Sequence, residues 1–250
     1  GCISARGLLM TRHTYSPHGF GYSHTGHEHT AHDLPNQDSW GLRHYRAGTL
    51  AVVCDGLGSK THSDVGSLQA VIAAREAFRG WSQTPNAPAR GFVALLNTLW
   101  NIRTHAHVRN ECATTCLVAL WLPERLITAQ LGDGLIAILN EEERVEYLTS
   151  SSSDFANETL SLGSNVSLDD WTILERDALT PREQLLLCTD GISEVIAADK
   201  LSGFMTWLRT LHTENSGSGR HAKLKRSFAK LPAMKRADDA TLVTLWSNET

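Results

Sequence analysis

Aspartates border several apolar runs of this sequence, at positions from which one sheet could direct several carboxylates to a common point. Asp55 follows LAVVC, Asp133 follows LITAQLG, Asp190 follows QLLLCT, Asp239 precedes TLVTLW, and Asp38 lies in the polar segment PNQDSW. Glycine follows three of them, which lets the backbone approach closely and leaves a carbonyl free as a ligand. Hard divalent cations such as Mg2+ and Mn2+ prefer such oxygen ligands. Two cations about 3.5–4 Å apart can bind a phosphate and activate water for in-line attack.

A turn is the alternative explanation for each Asp-Gly pair. Asp and Gly are both common turn residues, so a single pair is more often a turn than a ligand. Four aspartates at the ends of four apolar runs weaken that explanation, because one turn after another would not need a carboxylate at each strand end.

The segments between the aspartates predict the elements that must position them. Short apolar runs bounded by turn residues predict strands at 49–54, 114–122, 126–131, 135–139, 145–148, 171–174, 184–188 and 241–246. Apolar periodicity predicts helices at 65–78, 89–108, 193–197, 201–211 and 223–231, with a flexible connection at 215–219. Strands joined by short turns favour antiparallel pairing, and helices between groups of them favour a layered α+β fold.

Composition excludes several classes of protein. The chain has 250 residues, 41% of them hydrophobic and 20% charged, which is typical of a globular protein. The net charge of −4 argues against a nucleic-acid-binding surface. No apolar run approaches the ~20 residues of a membrane span, so we expect no membrane partner. The five cysteines form no CxxC pair, and two lie in apolar runs, which predicts a reducing, cytoplasmic location.

One domain explains the chain better than two. Residues 1–20 are polar and predict an N-terminal arm, and residues 21–248 form the expected domain. Within it, the Ser-, Asn- and Asp-rich segment 149–170 predicts a surface excursion.

The aspartate motifs, taken in order, resemble those of a known family. They are Asn36-Gln37-Asp38, Val52–Ser59 (VVCDGLGS), Ala113-Thr114-Thr115, Gly132-Asp133-Gly134, Leu187–Gly191 (LCTDG) and Ala237–Val243 (ADDATLV). This series resembles the metal-dependent protein phosphatases of type 2C, from about residue 20 to 246. The spacing of Gly26 and His29 before PNQD, and GDG in place of the usual GDS, are similar to a bacterial branch.

The resemblance implies a fold and a reaction. The fold is a four-layer α-β-β-α sandwich, with two antiparallel sheets flanked by helices and a two-metal site at one end. The reaction is hydrolysis of phosphoserine or phosphothreonine in proteins by direct attack of a metal-bridging hydroxide. The implied cofactors are two Mn2+ or Mg2+ ions, and the implied partners are a phosphoprotein substrate and a cognate Ser/Thr kinase. Segment 149–170 takes the place of the family's flap.

The resemblance also assigns site residues. Asp55 would bridge both metals, with the Gly56 carbonyl as a further ligand. Asp190 and Asp239 would hold the first metal, and Asp38 would act near the second, directly or through water. Asp133 matches a position that binds a third, weaker ion in relatives.

Three positions depart from the family pattern. Relatives often carry a phosphate-gripping Arg where Asp33 stands, so His29, His32 or Arg43 would have to replace it, and we prefer His29. The position before Asp38 is often Glu in relatives and is Gln37 here. Eukaryotic members have a His, a candidate general acid, where Leu57 stands, so water or another residue such as His62 would serve.

These departures leave two other functions open. One is a catalytically degenerate binding or regulatory module that keeps the fold, and the other is a phosphatase of small phosphorylated metabolites. The histidines at 24, 27, 29 and 32 do not match common zinc-site spacing. The basic residues near the C-terminus, between Arg220 and Arg236, form either a solvated face or a surface for an acidic partner or phosphoprotein.

Overall fold

Two antiparallel sheets form the centre of the structure, a computed structural model that describes residues 17–84, 86–148, 160–231 and 237–247. The first sheet runs in the order β1 (Pro17–His24), β10 (Ala240–Ser247), β9 (Gln184–Cys188), β6 (Leu135–Leu139) and β7 (Val145–Tyr147). The second runs β2 (Ser39–Tyr45), β3 (Gly48–Cys54), β4 (Cys116–Trp121), β5 (Arg125–Leu131) and β8 (Thr172–Asp177). The helices are α1 (His27–Ala31), α2 (Ser63–Trp81), α3 (Ala89–Arg103), α4 (Asp190–Ser193), α5 (Leu201–Glu214) and α6 (Gly217–Ala229).

Alternation along the strands divides the apolar side chains between three layers. Ala51 and Val53 of β3 face Leu187 and Val243 of the other sheet, whereas Val52 faces the opposite way toward α2 and α3. The outer face of the first sheet packs against α5 and α6, where Met205 contributes to the core. The result is the four-layer α-β-β-α sandwich predicted from the resemblance. Since both faces of each central strand are covered, these strands are buried along most of their length and are mostly apolar.

Most predicted elements are present, and several boundaries are corrected. Helix α3 ends at Arg103 rather than residue 108, because the Thr104 backbone leaves the helical region (φ −96°, ψ 3°). The helix expected at 193–197 is instead the single turn α4 at Asp190–Ser193, since the β-branched Val195 and Ile196 disfavour its continuation. Helix α6 begins at Gly217, inside the expected flexible connection, because Ser216 caps it by accepting from the Gly219 N–H.

Two strands were not predicted. Strand β1 begins at Pro17, within the expected polar arm, and buries only Phe20 and Tyr22. Its Gly21 lies under the ring of Trp40, which belongs to the other unpredicted strand, β2. Both strands lie at sheet edges, where half of each strand is polar and no continuous apolar run marks it.

Parts of two predictions fall outside the described residues: positions 1–16 of the expected arm and 149–159 of the expected flap. In the portion of the chain that the structure covers, no helix is both long and apolar enough to cross a lipid bilayer.

Candidate active site

Strands from both sheets end or begin at one edge of the sandwich, and the aspartates stand at these points. Strand β3 ends at Cys54, directly before Asp55, and β9 ends at Cys188, two residues before Asp190. Strands β2 and β10 begin directly after Asp38 and Asp239. The sheets therefore bring carboxylates from distant parts of the sequence to the same end of the molecule.

Asp55 and Asp190 are close neighbours in the cluster. Each carboxyl group acts on the pKa of the other. Burial raises the pKa of Asp55 well above its usual range, and the charges of Asp38 and Asp190 raise it further. Burial also raises the pKa of Asp190, with added repulsion from Asp133 and Asp238. These raised values identify a cluster of negative charge without enough positive charge to balance it.

Asp38 is buried beside this pair. Its Oδ2 accepts a hydrogen bond from the Thr189 hydroxyl at 3.1 Å, whereas its Oδ1 is buried and has no hydrogen-bond partner. Burial raises the pKa of Asp38 to about 8, with a contribution from the charge of Asp239, against the opposing effect of hydrogen bonds from Thr241 and Thr189. An oxygen of Asp190, Oδ1, is likewise buried without a partner. Such orphaned oxygens are costly unless a ligand completes them.

Backbone contacts hold Asp55 and Gly56 at the end of β3. The Asp55 carbonyl accepts from the Thr115 N–H at 2.8 Å and from the Thr114 hydroxyl at 2.8 Å, and the Asp55 N–H donates to the Thr115 hydroxyl at 3.0 Å. A Cβ at Gly56 would come within 2.6 Å of the Ser63 carbonyl oxygen and 2.8 Å of that of Gln37. Only glycine fits at this position, which explains the Asp-Gly sequence as more than a turn.

Asp239 holds the polypeptide around the site together. Its Oδ1 accepts from the Gly26 N–H at 2.7 Å, and its Oδ2 accepts from the Gln37 N–H at 2.6 Å. The same Oδ2 lies 2.9 Å from Nδ1 of His29. Both oxygens of this buried carboxylate are thus engaged by the protein itself.

Asp238 lies beside the cluster and was not among the predicted site residues. It is exposed, and its charge raises the pKa values of Asp38, Asp55 and Asp190. Of these three raised pKa values, the charge of Asp239 is a main cause only for that of Asp38. Asp238 also has a ligand atom within 4.8 Å of ligand atoms of His29 and Asp239. The pair of adjacent aspartates was the available signal, but a sequence motif alone does not show which of two neighbours faces the cluster.

The three candidates for the missing phosphate-binding Arg differ in their contacts. His29 is 13% exposed and contacts Asp239. The exposed His32 has its Nδ1 2.8 Å from the Glu28 carbonyl, and Arg43 donates to the Leu42 carbonyl. Asp33, at the position of the family's Arg, is exposed and has a φ of 55°. His62, the candidate general acid, packs against His107 with ring centroids 4.5 Å apart.

The cluster has the properties of a divalent-cation site. Among the described residues, no Lys or Arg forms an ion pair with Asp38, Asp55, Asp190 or Asp238. The donor set is dominated by carboxylates, and two of its oxygens are buried without partners. Mg2+ and Mn2+ suit such a set, because they prefer oxygen ligands and neutralise the repulsion between carboxylates.

Comparison with known proteins gives the same family as the motifs. The family model described as protein phosphatase 2C matches residues 25–229. Comparison with curated protein sequences gives no significant match.

Among solved structures, the chain is similar to the serine/threonine phosphatase Stp1 from Staphylococcus aureus, with a TM-score of 0.68, 17% identity, and coverage of 94% of this chain and 96% of that one. It is also similar to the S. agalactiae serine/threonine phosphatase, with a TM-score of 0.67, 14% identity, and coverage of 93% and 100%. A third is the catalytic domain of serine threonine protein phosphatase PstP in complex with two manganese ions, with a TM-score of 0.63, 19% identity, and coverage of 93% and 99%.

These structural likenesses establish the fold. The family match covers most of the chain and includes the motifs from Asp38 to Asp190. This chain belongs to the protein phosphatase 2C family.

Proposed function

We propose that this protein is a Mn2+- or Mg2+-dependent phosphatase that hydrolyses phosphoserine and phosphothreonine in proteins. The observation that carries the proposal is the convergence of Asp38, Asp55 and Asp190, whose pKa values burial and mutual repulsion raise, with buried oxygens of Asp38 and Asp190 that have no hydrogen-bond partner. Family membership supports the reaction, and the neighbour PstP was solved with two manganese ions. The physiological partners are then a phosphoprotein and the Ser/Thr kinase that phosphorylates it.

The residues of the cluster would have different roles in binding the cations. Asp55 and the Gly56 carbonyl would lie between two cations, Asp190 and Asp238 would bind the first, and Asp38 would bind near the second. Asp133, whose charge acts on Asp190, would contribute to a third, weaker site. The cations, when bound, would supply the positive charge that binds the phosphoryl group and activates water for direct attack.

We assign Asp239 a positioning role in place of the predicted ligand role. Both of its oxygens already accept hydrogen bonds from Gly26 and Gln37, and Oδ2 also contacts His29. A carboxylate engaged in this way fixes α1 and the segment before β2 around the cluster. As an imidazolium, His29 would then bind the phosphoryl group through its other ring nitrogen, in the role of the missing Arg.

A cytoplasmic location agrees with the cysteines of the structure. Cys54, Cys112, Cys116 and Cys188 are all buried free thiols, as expected of a protein kept in a reducing compartment.

Hydrolysis of an aryl phosphate and of a phosphothreonine peptide tests the proposal. We expect turnover of both with added Mn2+, and loss of both with EDTA. An Asp55→Ala, Asp190→Ala double variant provides the background. The proposal is wrong if the wild-type protein with Mn2+ is no faster than this double variant.

A binding module without catalysis is the second candidate, because Asp33 and Leu57 stand where relatives carry an Arg and a His. Calorimetry separates the two functions. Metal binding without turnover of phosphopeptides would support the module, whereas turnover at about 1 s⁻¹ or faster would exclude it. Turnover of small phosphorylated metabolites but not of phosphopeptides would support a small-molecule phosphatase.

A further inference from the structure

A basic cavity lies next to the candidate active site and is not part of it. It has a volume of about 420 Å³ and lies between the end of β1, helix α1 and helix α6. His24, His27, His221 and Lys225 line it, and no described residue of its lining carries a carboxylate. Three imidazoles and one ammonium group therefore face a single concavity in a protein whose net charge is −4.

An aromatic cluster holds two of the three imidazoles, those of His24 and His221, in place. The buried ring of Tyr22 packs against His221, with centroids 5.2 Å apart, and stacks on His24 at 6.4 Å. Phe228 of α6 packs against Tyr22 at 5.6 Å and against His24 at 5.8 Å. Side chains fixed by packing lose less conformational entropy when a ligand binds. This part of the cavity is therefore a preformed surface rather than a set of mobile side chains.

Short contacts connect the cavity wall to the carboxylate cluster. Ser23 lines the cavity, and its hydroxyl accepts a hydrogen bond from the Thr241 hydroxyl at 2.7 Å, while Thr241 is close enough to Asp38 to lower the pKa of that carboxyl group. Thr30, on the same wall, donates to the Gly26 carbonyl at 2.9 Å, and the Gly26 N–H donates to Asp239. The cavity therefore lies close to the carboxylates, with Ser23, Gly26 and Thr241 between them.

We propose that this cavity binds acidic residues that flank the phosphorylated residue of a protein substrate. The proposal rests on the proposed phosphatase function and names the kind of substrate that the site selects. Lys225 offers a positive charge and the imidazoles of His27 and His221 offer N–H donors, and these are the groups that bind carboxylates. Helix α6 carries four Lys or Arg residues and no Asp or Glu. Its positive electrostatic potential therefore also attracts acidic peptide residues.

Two phosphothreonine peptides of equal length test the proposal. One carries aspartates on both sides of the phosphothreonine, and the other carries serines at those positions. We expect the wild-type protein with Mn2+ to hydrolyse the acidic peptide with a kcat/KM about five- to tenfold higher, since two partly exposed ion pairs contribute about that much. A His221→Gln, Lys225→Gln double variant should lose this preference and keep its rate on an aryl phosphate.

Lys223→Gln is the matched control. Lys223 lies on the same helix but lines a different groove, against α5, together with Arg226. Its substitution removes one charge from the helix and leaves the cavity intact. The proposal is overturned if the double variant keeps the preference for the acidic peptide, or if Lys223→Gln abolishes the preference equally.

A binding measurement without catalysis separates this inference from the proposed function. Fluorescence anisotropy in EDTA should show weaker binding of the labelled acidic peptide to the double variant than to the wild type, whether or not the protein is an active enzyme. Equal binding would contradict the inference even if phosphatase activity is present. A second outcome would also contradict the inference: vesicles containing phosphatidylserine bind the wild type but not the double variant, while the acidic peptide binds both proteins equally. The cavity would then bind membranes rather than acidic peptides.

Discussion

The Nδ1 atom of His29 lies 2.9 Å from the Oδ2 atom of Asp239, so the short helix α1 is fixed to the segment that begins β10. This contact uses Nδ1 of His29, so Nε2 can donate to a phosphoryl oxygen when the ring is an imidazolium with a proton on both nitrogens. The proposed phosphate-binding role of His29 uses this second nitrogen.

The His29→Asn substitution tests this role. The Asn side chain can reproduce the hydrogen bond to Asp239 but has no equivalent of Nε2. We expect KM for an aryl phosphate to rise about tenfold, which corresponds to the loss of one charge-assisted hydrogen bond, with little change in Tm. His32→Asn is the control, because His32 is exposed and contacts only its own helix backbone in this region. An unchanged KM in His29→Asn would contradict the role.

Asp238→Asn and Asp239→Asn should have opposite effects on the metal-free protein. Asp238 is exposed and repels the other carboxylates, so Asp238→Asn should leave metal-free stability unchanged or slightly higher and weaken Mn2+ binding. Asp239→Asn removes the negative charge that accepts hydrogen bonds from Gly26 and Gln37 and contacts His29. We expect the free energy of unfolding to fall by about 1–3 kcal/mol. Urea unfolding in EDTA and calorimetric titration with Mn2+ measure both effects. A destabilising Asp238→Asn with normal Mn2+ affinity would reverse our assignment.

The stability of the metal-free protein should fall as pH rises. The pKa of Asp38 is raised to about 8, and those of Asp55 and Asp190 are also raised, so the folded state keeps protons that the unfolded chain has released above about pH 4. Histidines such as His44 and His212, whose pKa values burial lowers, act in the opposite direction below about pH 6.5. The carboxylate effect should therefore be clearest between about pH 6.5 and 8.

Urea unfolding across this pH range in EDTA and in Mg2+ measures the effect. Cation binding needs deprotonated carboxylates, so stabilisation by Mg2+ should grow with pH. It should reach about 2.7 kcal/mol when free Mg2+ is 100-fold above its Kd. Asp38→Asn should flatten the pH dependence in EDTA. Metal-free stability that rises between pH 6.5 and 8 would show that the carboxylates are not protonated in the folded state.

Gly191→Ala should destabilise the protein, because a Cβ at this position would overlap the carbonyl oxygen of Asp239. We expect a loss of about 1–3 kcal/mol and weaker metal binding, since Asp239 or Asp190 must move. Gly203→Ala is the matched control: no atom lies within 4 Å of the position that the new methyl group would take in α5. That substitution should stabilise the helix by about 0.5–1 kcal/mol. Thermal unfolding of both variants is the measurement, and equal effects would contradict the steric explanation.

Much of the fold was predictable because its central strands are covered on both faces. Strands β6 and β9 match the predicted ranges residue for residue, since each is a continuous apolar run ended by a turn. The edge strand β1 was not predictable in this way. Its glycines and polar residues form a strand only because β10 lies beside it, from Pro17 opposite Ser247 to His24 opposite Ala240.

The sequence by itself predicted a layered α+β fold and aspartates at strand ends, because local apolar runs and Asp-Gly pairs encode strands and their ends. The order of its motifs indicated the family, and that resemblance implied the two sheets. The tertiary structure decided which of Asp238 and Asp239 faces the other carboxylates. Adjacent residues of an extended chain point in opposite directions, and their directions depend on how β10 pairs with β9 and β1. It also decided that histidines near the N-terminus meet a lysine of α6 in one cavity, since only folding brings segments about 200 residues apart into contact.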